Sequence, residues 1–297
     1  MKERHLEILK MVNEQERVSV KDLSETLNIS MVTIRKDLEE LESMGLLRRQ
    51  HGFAAKGASD AIDSRMTVHY LEKKKIAQLA VSLVKPMETI MIESGSTCAL
   101  FAQELAAVND VTIITNSAYI ARNLRGVPTA NVILLGGDYD VVSEVTTGPV
   151  TELCAKEYYV DKIFVGIDGY TEEEGFSNVN HTRCSTVRGM AKQADKVVVL
   201  TTSEKFGKRS VAKMFSSGEV YSVVTDSRLS KEYQEILKKN QIKVELADVL
   251  WSVLFVLNQL LIEQVCEFVL PIWHGILKKR REHANGTDFE SPVFSTD

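Results

Sequence analysis

Small, hydroxyl-bearing and charged residues directly follow five short apolar runs of the sequence. The segments that carry them are residues 93–97, 115–117, 136–138, 166–169 and 201–207. Hydroxyl groups and the free amides at a helix N-terminus suit a phosphate group, whereas carboxylate and carboxamide side chains suit sugar hydroxyls. One such segment is usually a plain connection between a strand and a helix, but five in succession indicate a binding site. The chemistry they predict is recognition of a phosphorylated polyol.

Individual roles follow from the side chains. The predicted phosphate contacts are Ser94, Gly95, Ser96 and Thr97. Gly95 lets the backbone approach a ligand closely, and the neighbouring hydroxyls precede a predicted helix. Asp168 and Asn116 are predicted to bind sugar hydroxyls, and Lys205 is predicted to balance the phosphate charge.

A predicted α/β domain positions these segments. The predicted strands are residues 89–92, 111–114, 132–135, 163–167, 197–200, 222–224 and 242–246. The predicted helices are residues 71–84, 98–107, 117–124, 149–156, 183–194 and 231–240. Strands that are apolar throughout and separated by helices indicate a mostly parallel sheet covered on both faces. Ligands bind such sheets beyond the carboxyl ends of the strands, where the candidate residues lie.

Residues 19–53 predict two short helices joined by a tight turn and followed by a small basic hairpin. Ser19 can cap the first helix, and Ser30 can cap the second. From Ile34, apolar residues recur at i, i+4 and i+7, so one stripe of the second helix faces a core. Gly45 is in the position of a left-handed residue that ends a helix.

The other faces of the second helix carry groups that suit DNA. The predicted DNA contacts are Ser30, Val32, Thr33, Arg35, Lys36, Arg48, Arg49 and His51. A helix that begins with such residues, docked across a preceding helix, is the helix-turn-helix arrangement for the major groove, and the hairpin suits a wing on phosphates. Residues 1–56 contain ten Lys/Arg and ten Asp/Glu, so placement rather than bulk charge indicates DNA. A helical domain for protein contact is the alternative.

The run TIRKDLEELESMGLLRRQHG resembles the end of the winged helix-turn-helix in DeoR-family bacterial transcriptional regulators. In that family a TIRRDL segment is followed by a leucine-rich helix and a wing that ends in HGG. Lys36 replaces the second arginine and keeps its charge without the bidentate guanidinium. Phe53 replaces the second glycine with a bulky residue.

Residues 70–247 resemble the effector domain of the same family, which is similar to ribose phosphate isomerases and acyl-CoA transferases. The family's DSGTT, TNS, GG, GxDG-type and SKFG segments match Glu93–Thr97, Thr115–Ser117, Gly136–Gly137, Asp168–Gly169 and Lys205–Gly207. The resemblance implies a sensor of phosphorylated sugars, and it adds Glu93, Thr115, Gly136, Gly137 and His181 to the predicted contacts. Glu93 replaces an aspartate, and His181 stands where the family has a glutamate. A surface or helix-capping histidine is the alternative for His181.

The domain organisation follows from these assignments. We predict a winged helix-turn-helix domain at residues 1–57, a linker at 58–70, an effector and oligomerisation domain at 71–247, and an atypical tail at 248–297. The formal net charge of −5 argues against indiscriminate nucleic-acid binding. The four cysteines form no CxxC pair, so neither a zinc site nor a disulfide framework is expected. The N-terminus has no signal-peptide core, which favours the cytoplasm.

The tail has no counterpart in the family resemblance. Residues 249–273 are strongly apolar, but Glu263 and Glu267 interrupt them at a high cost for a bilayer. We predict a helix that packs on the effector domain or in a subunit interface, followed by a basic cluster at residues 278–281 and a disordered end. A membrane span is the less favoured alternative.

Together these features predict a cytoplasmic repressor of a carbohydrate-use operon that uses no cofactor and no metal. A homo-oligomer, either a dimer or a tetramer, would place paired winged helices on two half-sites of double-stranded operator DNA. A phosphorylated sugar would then lower operator affinity by changing their spacing. The alternatives are an isomerase-like enzyme that uses Asp168 and Lys205, and a membrane-tethered regulator.

Overall fold

The computed structural model describes residues 3–43, 47–55, 62–108 and 110–248. The contacts between residues group 1–249 into one compact unit. None of the helices in the described part combines the length and apolar character needed to cross a bilayer. The predicted helix end at Gly45 and the predictions for the tail beyond residue 248 fall outside the described residues.

Helices and strands alternate along most of this unit. The described α-helices are α1 (Glu3–Gln15), α2 (Val20–Thr26), α3 (Met31–Ser43), α4 (Ile62–Thr67), α5 (Tyr70–Val81), α6 (Ser96–Val108), α7 (Ala118–Asn123), α8 (Pro149–Ala155), α9 (His181–Ala191) and α10 (Lys231–Lys239). The described strands are β1 (Arg17–Ser19), β2 (Arg48–Gln50), β3 (Phe53–Ala55), β4 (Ile90–Ile92), β5 (Val111–Thr115), β6 (Ala130–Leu134), β7 (Asp138–Asp140), β8 (Val145–Thr147), β9 (Val160–Val165), β10 (Gly169–Thr171), β11 (Gly175–Asn178), β12 (Ala194–Leu200), β13 (Ala212–Phe215), β14 (Ser222–Asp226) and β15 (Lys243–Ala247). Short 3₁₀ turns occur at Ser203–Lys205 and Ser217–Glu219.

The N-terminal residues form the predicted helix-turn-helix and wing. Ser19 caps α2 by accepting a hydrogen bond from the Asp22 amide at 3.0 Å, and Ser30 caps α3 by accepting one from the Thr33 amide at 3.2 Å. β1 pairs with β3 and β3 with β2, so the wing belongs to a three-stranded antiparallel sheet. The sequence did not predict β1, because three residues before a helix cap are too few to show a strand pattern.

The tip of the wing is a tight turn formed by His51 and Gly52, whose φ angles are 40° and 83°. Positive φ at both central residues is the geometry of a type I′ hairpin turn. Phe53 follows the turn as the first residue of β3, opposite Ser19, and the guanidinium of Arg17 lies 3.9 Å from the centre of its ring. The bulky residue therefore occupies an extended strand position that does not require a second glycine.

A buried charged network holds α3 against α1. The Asp37 carboxylate is buried and accepts hydrogen bonds from Arg4 Nε at 2.5 Å and Arg4 Nη2 at 2.9 Å, and it contacts His5 Nε2 at 2.9 Å. Burial opposes ionisation of Asp37, but the hydrogen bonds and charges of Arg4 and His5 outweigh it and lower its pKa to about 2. Glu40 also lies close enough for the cluster to hold a cation, yet the guanidinium already engages both oxygens of Asp37. We interpret the cluster as an ion-pair network.

All seven predicted strands of the effector domain form one parallel sheet, which confirms the predicted α/β fold. The strand order is β15-β14-β12-β9-β4-β5-β6. From β4 the chain adds β5 and β6 on one side, and it then adds β9, β12, β14 and β15 on the other. The order reverses between β4 and β9, which are parallel neighbours. Such a reversal opens a crevice at the carboxyl ends of the two strands.

Two small antiparallel groups of strands were not predicted. β7 pairs with β8, and β10, β11 and β13 form a three-stranded sheet. These strands have three or four residues each, so they are too short to show an alternating pattern. The second group matters for function because β10 and β11 follow the carboxyl end of β9, and Asn178 at the end of β11 lines the crevice.

The predicted linker contains the helix α4, which is built into the core. Ile62 is 1% exposed and Met66 is 3% exposed. One buried apolar cluster runs from the core of the helix-turn-helix through these two residues to α5 and α6. α4 packs against both α1 and α6. The part of the predicted linker that the structure describes, from Ile62 onward, is therefore largely a packed helix over Ile62–Thr67, and residues 58–61 lie outside the described residues.

The Asp37 network predicts a specific dependence of stability on pH. Because the folded-state pKa of Asp37 is depressed, its contribution is complete above the ordinary carboxyl pKa of about 4 and is lost as the pH falls towards 2. We expect Asp37→Asn to lower the free energy of unfolding by about 2 to 3 kcal/mol at neutral pH and to reduce the acid sensitivity below pH 4. Urea titrations followed by circular dichroism at several pH values will measure both effects. Asp22→Asn, at an exposed carboxylate of α2, is the control; equal pH profiles for the two variants would contradict the assignment.

Candidate functional site

The reversal of strand order between β4 and β9 opens a cavity of about 230 Å³. Its walls come from α4 and α5, from the loops after β4, β9 and β12, and from the start of α9. The lining residues are Arg65, Val68, Lys73, Ser94, Gly95, Ser96, Thr97, Gly166, Ile167, Asp168, Asn178, Arg183, Leu200, Thr201, Thr202, Glu204 and Lys205. Six of the predicted contacts are therefore brought together here, namely Ser94, Gly95, Ser96, Thr97, Asp168 and Lys205.

One side of the cavity is electropositive. α6 begins at Ser96, so its first backbone amides lie beside the cavity together with two lysines, Lys73 and Lys205. Lys73 is 8% exposed, and its Nζ donates to the Arg65 carbonyl oxygen at 2.5 Å. Burial lowers the pKa of Lys73 to about 7, and the neighbouring positive charges of Lys205 and Arg65 act in the same direction. An anion in the cavity would stabilise the charged form of this lysine.

Glu93 lies beneath the cavity and holds its loops together. Glu93 is 1% exposed; it accepts hydrogen bonds from the Ser94 hydroxyl at 3.1 Å and from the Gly166 amide at 3.1 Å. Arg183 Nη2 lies 3.4 Å from Glu93 Oε1 and donates to Ser94 Oγ at 3.0 Å. Burial raises the pKa of Glu93, and the charge of Arg183 opposes this rise. Glu93 positions the loop and does not line the cavity.

Other lining residues offer polar groups that suit hydroxyls. Asp168 follows β9, and its Oδ2 accepts from the Val179 amide at 3.3 Å, which leaves the other carboxylate oxygen for a ligand. Asn178 ends β11 and also lines the cavity. Thr201 and Thr202 follow β12 and add two more hydroxyls. A carboxylate with several hydroxyls and a carboxamide is the set expected for a polyol.

Two predicted residues after β5 serve the fold instead of the cavity. The Thr115 hydroxyl donates to the Ile92 carbonyl oxygen at 2.6 Å and accepts from the Ser117 amide at 3.0 Å. Asn116 accepts from the Ser94 amide at 3.3 Å and donates to the Thr146 carbonyl oxygen at 3.0 Å. Thr115 and Asn116 thus tie neighbouring strand ends together, and we exclude both from the proposed ligand contacts.

Gly136 and Gly137 follow β6, which is the edge strand and lies two strands away from the crevice. Gly137 has a φ of 147°, and a Cβ there would lie 2.0 Å from Thr151 Oγ1. A glycine is thus required by the close approach of α8. The two glycines do not line the cavity. The cavity lies at the ends of β4 and β9, and β6 is too far along the sheet for its end to reach it.

His181 is the first residue of α9; it is exposed and is not one of the residues that line the cavity. Asn180 caps the helix by accepting from the Arg183 amide at 3.0 Å. The alternative of a surface histidine therefore fits the structure better than a ligand contact. The side chain that enters the site from this helix belongs to Arg183, which was not predicted.

The sequence contained signals for the residues that prediction missed. Arg183 is in the first turn of α9, where the helix dipole disfavours a cation unless it has a negative partner. Lys73 lies on the same face of α5 as Ile76, Ala77 and Ala80, and a cation within an apolar stripe indicates a buried function. Arg65 had no comparable signal, because its segment was interpreted as a linker.

The α3 residues that are predicted to contact DNA are accessible to solvent. Arg35 and Lys36 are exposed, and Val32 is 62% exposed. Ile34 and Leu38 are buried on the opposite side of the helix and anchor it. The exposed apolar side chain of Val32 suits a thymine methyl group, and the cations suit guanine edges or phosphates. The N-terminal half of α3 thus presents a surface suited to the major groove.

In the wing, Arg48 and His51 are exposed. The guanidinium of Arg49, in contrast, donates to Glu39 Oε1 on α3 at 2.9 Å. Arg49 was predicted to contact the DNA backbone, but in the free protein it is bound to a carboxylate.

Comparison with known protein families agrees with this geometry. Residues 4–58 match the DeoR-like helix-turn-helix domain, and residues 68–227 match the DeoR C-terminal sensor domain. The chain is 29% identical over 250 residues to the HTH-type transcriptional regulator GolR of Listeria innocua, with coverage of 83% of this chain and 98% of the relative. It is 27% identical over 247 residues to the glycerol-3-phosphate regulon repressor of Escherichia coli K12, with coverage of 82% and 98%.

Among solved structures, the chain aligns with ribose 5-phosphate isomerase A of Methanocaldococcus jannaschii at 25% identity and a TM-score of 0.34, covering 45% of this chain and 53% of the isomerase. The sensor-domain match alone spans more than half of the chain. The two domain matches confirm the resemblance inferred from the sequence. The chain belongs to the DeoR family of transcriptional regulators.

Proposed function

We propose that the protein represses a carbohydrate-use operon and that a phosphorylated sugar in the cavity changes its affinity for operator DNA. The observation that carries this proposal is the combination of a groove-reading helix with a charged cavity at the strand-order reversal. The relative from Escherichia coli is named as the repressor of a regulon for a phosphorylated metabolite, which supports the ligand class.

The phosphate is assigned to the electropositive side of the cavity. There it would receive hydrogen bonds from the amides at the start of α6 and from the hydroxyls of Ser96 and Thr97. Lys73 and Lys205 would supply charge, and anion binding would restore the full charge of Lys73. The sugar hydroxyls are assigned to Asp168 and the side chains around it.

Two contacts suggest how the cavity acts on the DNA-binding half. Arg65 lines the cavity and belongs to α4, which packs against α1. His69 Nε2 contacts Glu204 Oε2 at 2.9 Å, so the start of α5 is bound to a cavity loop. A ligand that favours one position of α4 and α5 over another would shift the DNA-binding helices with them. The ligand must bind the two positions with unequal affinity for this to occur.

The protein is proposed to act as a homo-oligomer, either a dimer or a tetramer, because two half-sites require paired reading helices. The structure offers a set of exposed apolar side chains for this purpose on and near β6, β7 and α8. Its members are Leu134, Tyr139, Val141, Val142, Val150 and Leu153, which are 46–75% exposed. We propose that these side chains contribute to the interface between subunits, since contiguous exposed apolar patches are typical of interaction surfaces. We also propose a cytoplasmic location, because a protein that binds an operator must reach the chromosome.

Sensing is favoured over catalysis. The relatives described above are named as regulators. An isomerase requires a general base and a group that polarises a carbonyl, and Asp168 with a cavity lysine would be the pair available. Turnover of pentose or hexose phosphates by the purified protein would support this second function.

Substitutions should separate DNA binding from ligand sensing. Arg35→Ala is expected to weaken operator binding by about 10- to 100-fold, since a base-edge contact contributes about 1 to 3 kcal/mol, and to preserve the rise in melting temperature on ligand binding. Lys205→Ala should do the opposite, with operator binding kept and ligand response lost.

Gel shifts will measure operator binding, and a thermal-shift screen of phosphorylated sugars will measure the ligand response. The exposed Arg125 and Lys208 provide matched controls as alanine variants; loss of both properties in Arg35→Ala would contradict the modular assignment.

Lys73 makes ligand affinity depend on pH. Its pKa of about 7 in the free protein means that an anion binds best when the lysine is protonated, and a phosphate monoester becomes a dianion above about pH 6. Affinity should therefore peak between about pH 6 and 7 and fall by up to about tenfold per unit above pH 7. Lys73→Met should bind more weakly at pH 6.5 and lose this decline. Calorimetric titrations with the best ligand of the screen will test this; an unchanged decline in Lys73→Met would assign it to another group.

A further inference from the structure

Two carboxylates of α3 hold the wing. Arg49 Nη1 donates to Glu39 Oε1 at 2.9 Å, and the Arg49 backbone amide donates to Glu42 Oε1 at 2.8 Å. Glu39 and Glu42 are three residues apart on α3, so they face the wing from the same side of the helix. The wing is therefore fastened to the helix that enters the major groove, once through a side chain and once through the backbone.

The Glu39 carboxylate lies on the DNA-facing side of α3. It is four residues after Arg35, and residues with this spacing share one face of a helix. The Glu39 side chain is 62% exposed and that of Arg49 is 33% exposed. An unpaired carboxylate in this position would repel the phosphates of bound DNA, and an unpaired arginine would attract them. The pairing cancels both effects.

We propose that Glu39 determines specificity by withholding Arg49 from the DNA backbone. Non-specific binding depends almost entirely on the number of phosphates that cations neutralise. On an operator, base contacts of α3 fix the position of the protein, and the wing stays in the orientation set by Glu42. On other DNA no base contact fixes the position, so a free arginine would reach whichever phosphate was nearest. Pairing Arg49 with Glu39 removes one cation that could neutralise a phosphate, and this weakens non-specific binding more than operator binding.

This inference changes the role first predicted for Arg49. Arg48 and His51 remain the predicted phosphate contacts of the wing, because both are exposed beside the turn. Arg49 instead acts through Glu39 as part of a neutral pair. Glu39 is a specificity residue that discriminates by charge and contacts no base.

The salt dependence of DNA binding tests the proposal directly. The full-length protein and its variants are titrated with a duplex of scrambled sequence and with the tightest promoter fragment, at KCl concentrations from about 50 to about 300 mM. Glu39→Gln is expected to steepen the slope of log K against log[KCl] by about 0.9 on scrambled DNA, which is the value for one additional phosphate contact. Affinity for scrambled DNA should then rise roughly fivefold at 150 mM salt, and the ratio of promoter to scrambled affinity should fall.

Two further variants decide the cause. Glu42→Gln makes the same change of charge on the same helix, but Glu42 binds the neutral backbone amide of Arg49, whereas Glu39 neutralises its guanidinium. The slope of Glu42→Gln should therefore remain close to that of the unmodified protein. In the double variant Glu39→Gln/Arg49→Gln the slope should equal that of Arg49→Gln alone. Equal steepening by Glu39→Gln and Glu42→Gln would overturn the proposal in favour of a general charge effect. An unchanged slope in Glu39→Gln, or a steepening that persists without Arg49, would also overturn it.

Discussion

The buried carboxylate of Glu93 is the constraint on which the ligand cavity depends. A charged group that is removed from water needs hydrogen bonds and an opposite charge, and here three separate segments supply them. These are the hydroxyl of Ser94 after β4, the amide of Gly166 after β9 and the guanidinium of Arg183 in α9. Satisfying one carboxylate therefore brings two strand ends and a helix to fixed positions. The cavity is the space that remains above them.

Much of the fold could be predicted because burial on both faces makes the central strands of the parallel sheet apolar over most of their length. All seven strands were found in this way, with ends that differ by a few residues. The order of the strands was not accessible, because chain order does not state on which side of β4 the later strands are added. The placement of the candidate residues depended on that order. The ends of β4, β9 and β12 meet at the cavity, whereas the ends of β5 and β6 do not.

The same limit explains why some of the predicted ligand contacts do not line the cavity. A motif shows that a residue matters, but it does not show whether the partner is a ligand or the protein itself. Asn116 and Glu93 have polar groups that suit a sugar, yet both are used to join loops. Gly137 is a glycine because α8 approaches it, not because a phosphate does. In the other direction, Arg183 and Lys73 carry charge at helical positions where charge is unfavourable, and both line the cavity.

The helix α4 has a consequence for how such regulators diversify. Ile62 and Met66 place it in one apolar cluster with residues of both halves of the protein. The two halves consequently cannot be exchanged between relatives as independent domains. A DNA-binding half taken from a relative would have an α1 surface that packs on a different α4. The contacts between α1 and α4 would then have to be repacked before ligand binding could affect DNA binding. New pairings of operator and metabolite in this fold therefore require matched changes in a few apolar side chains far from both ligands.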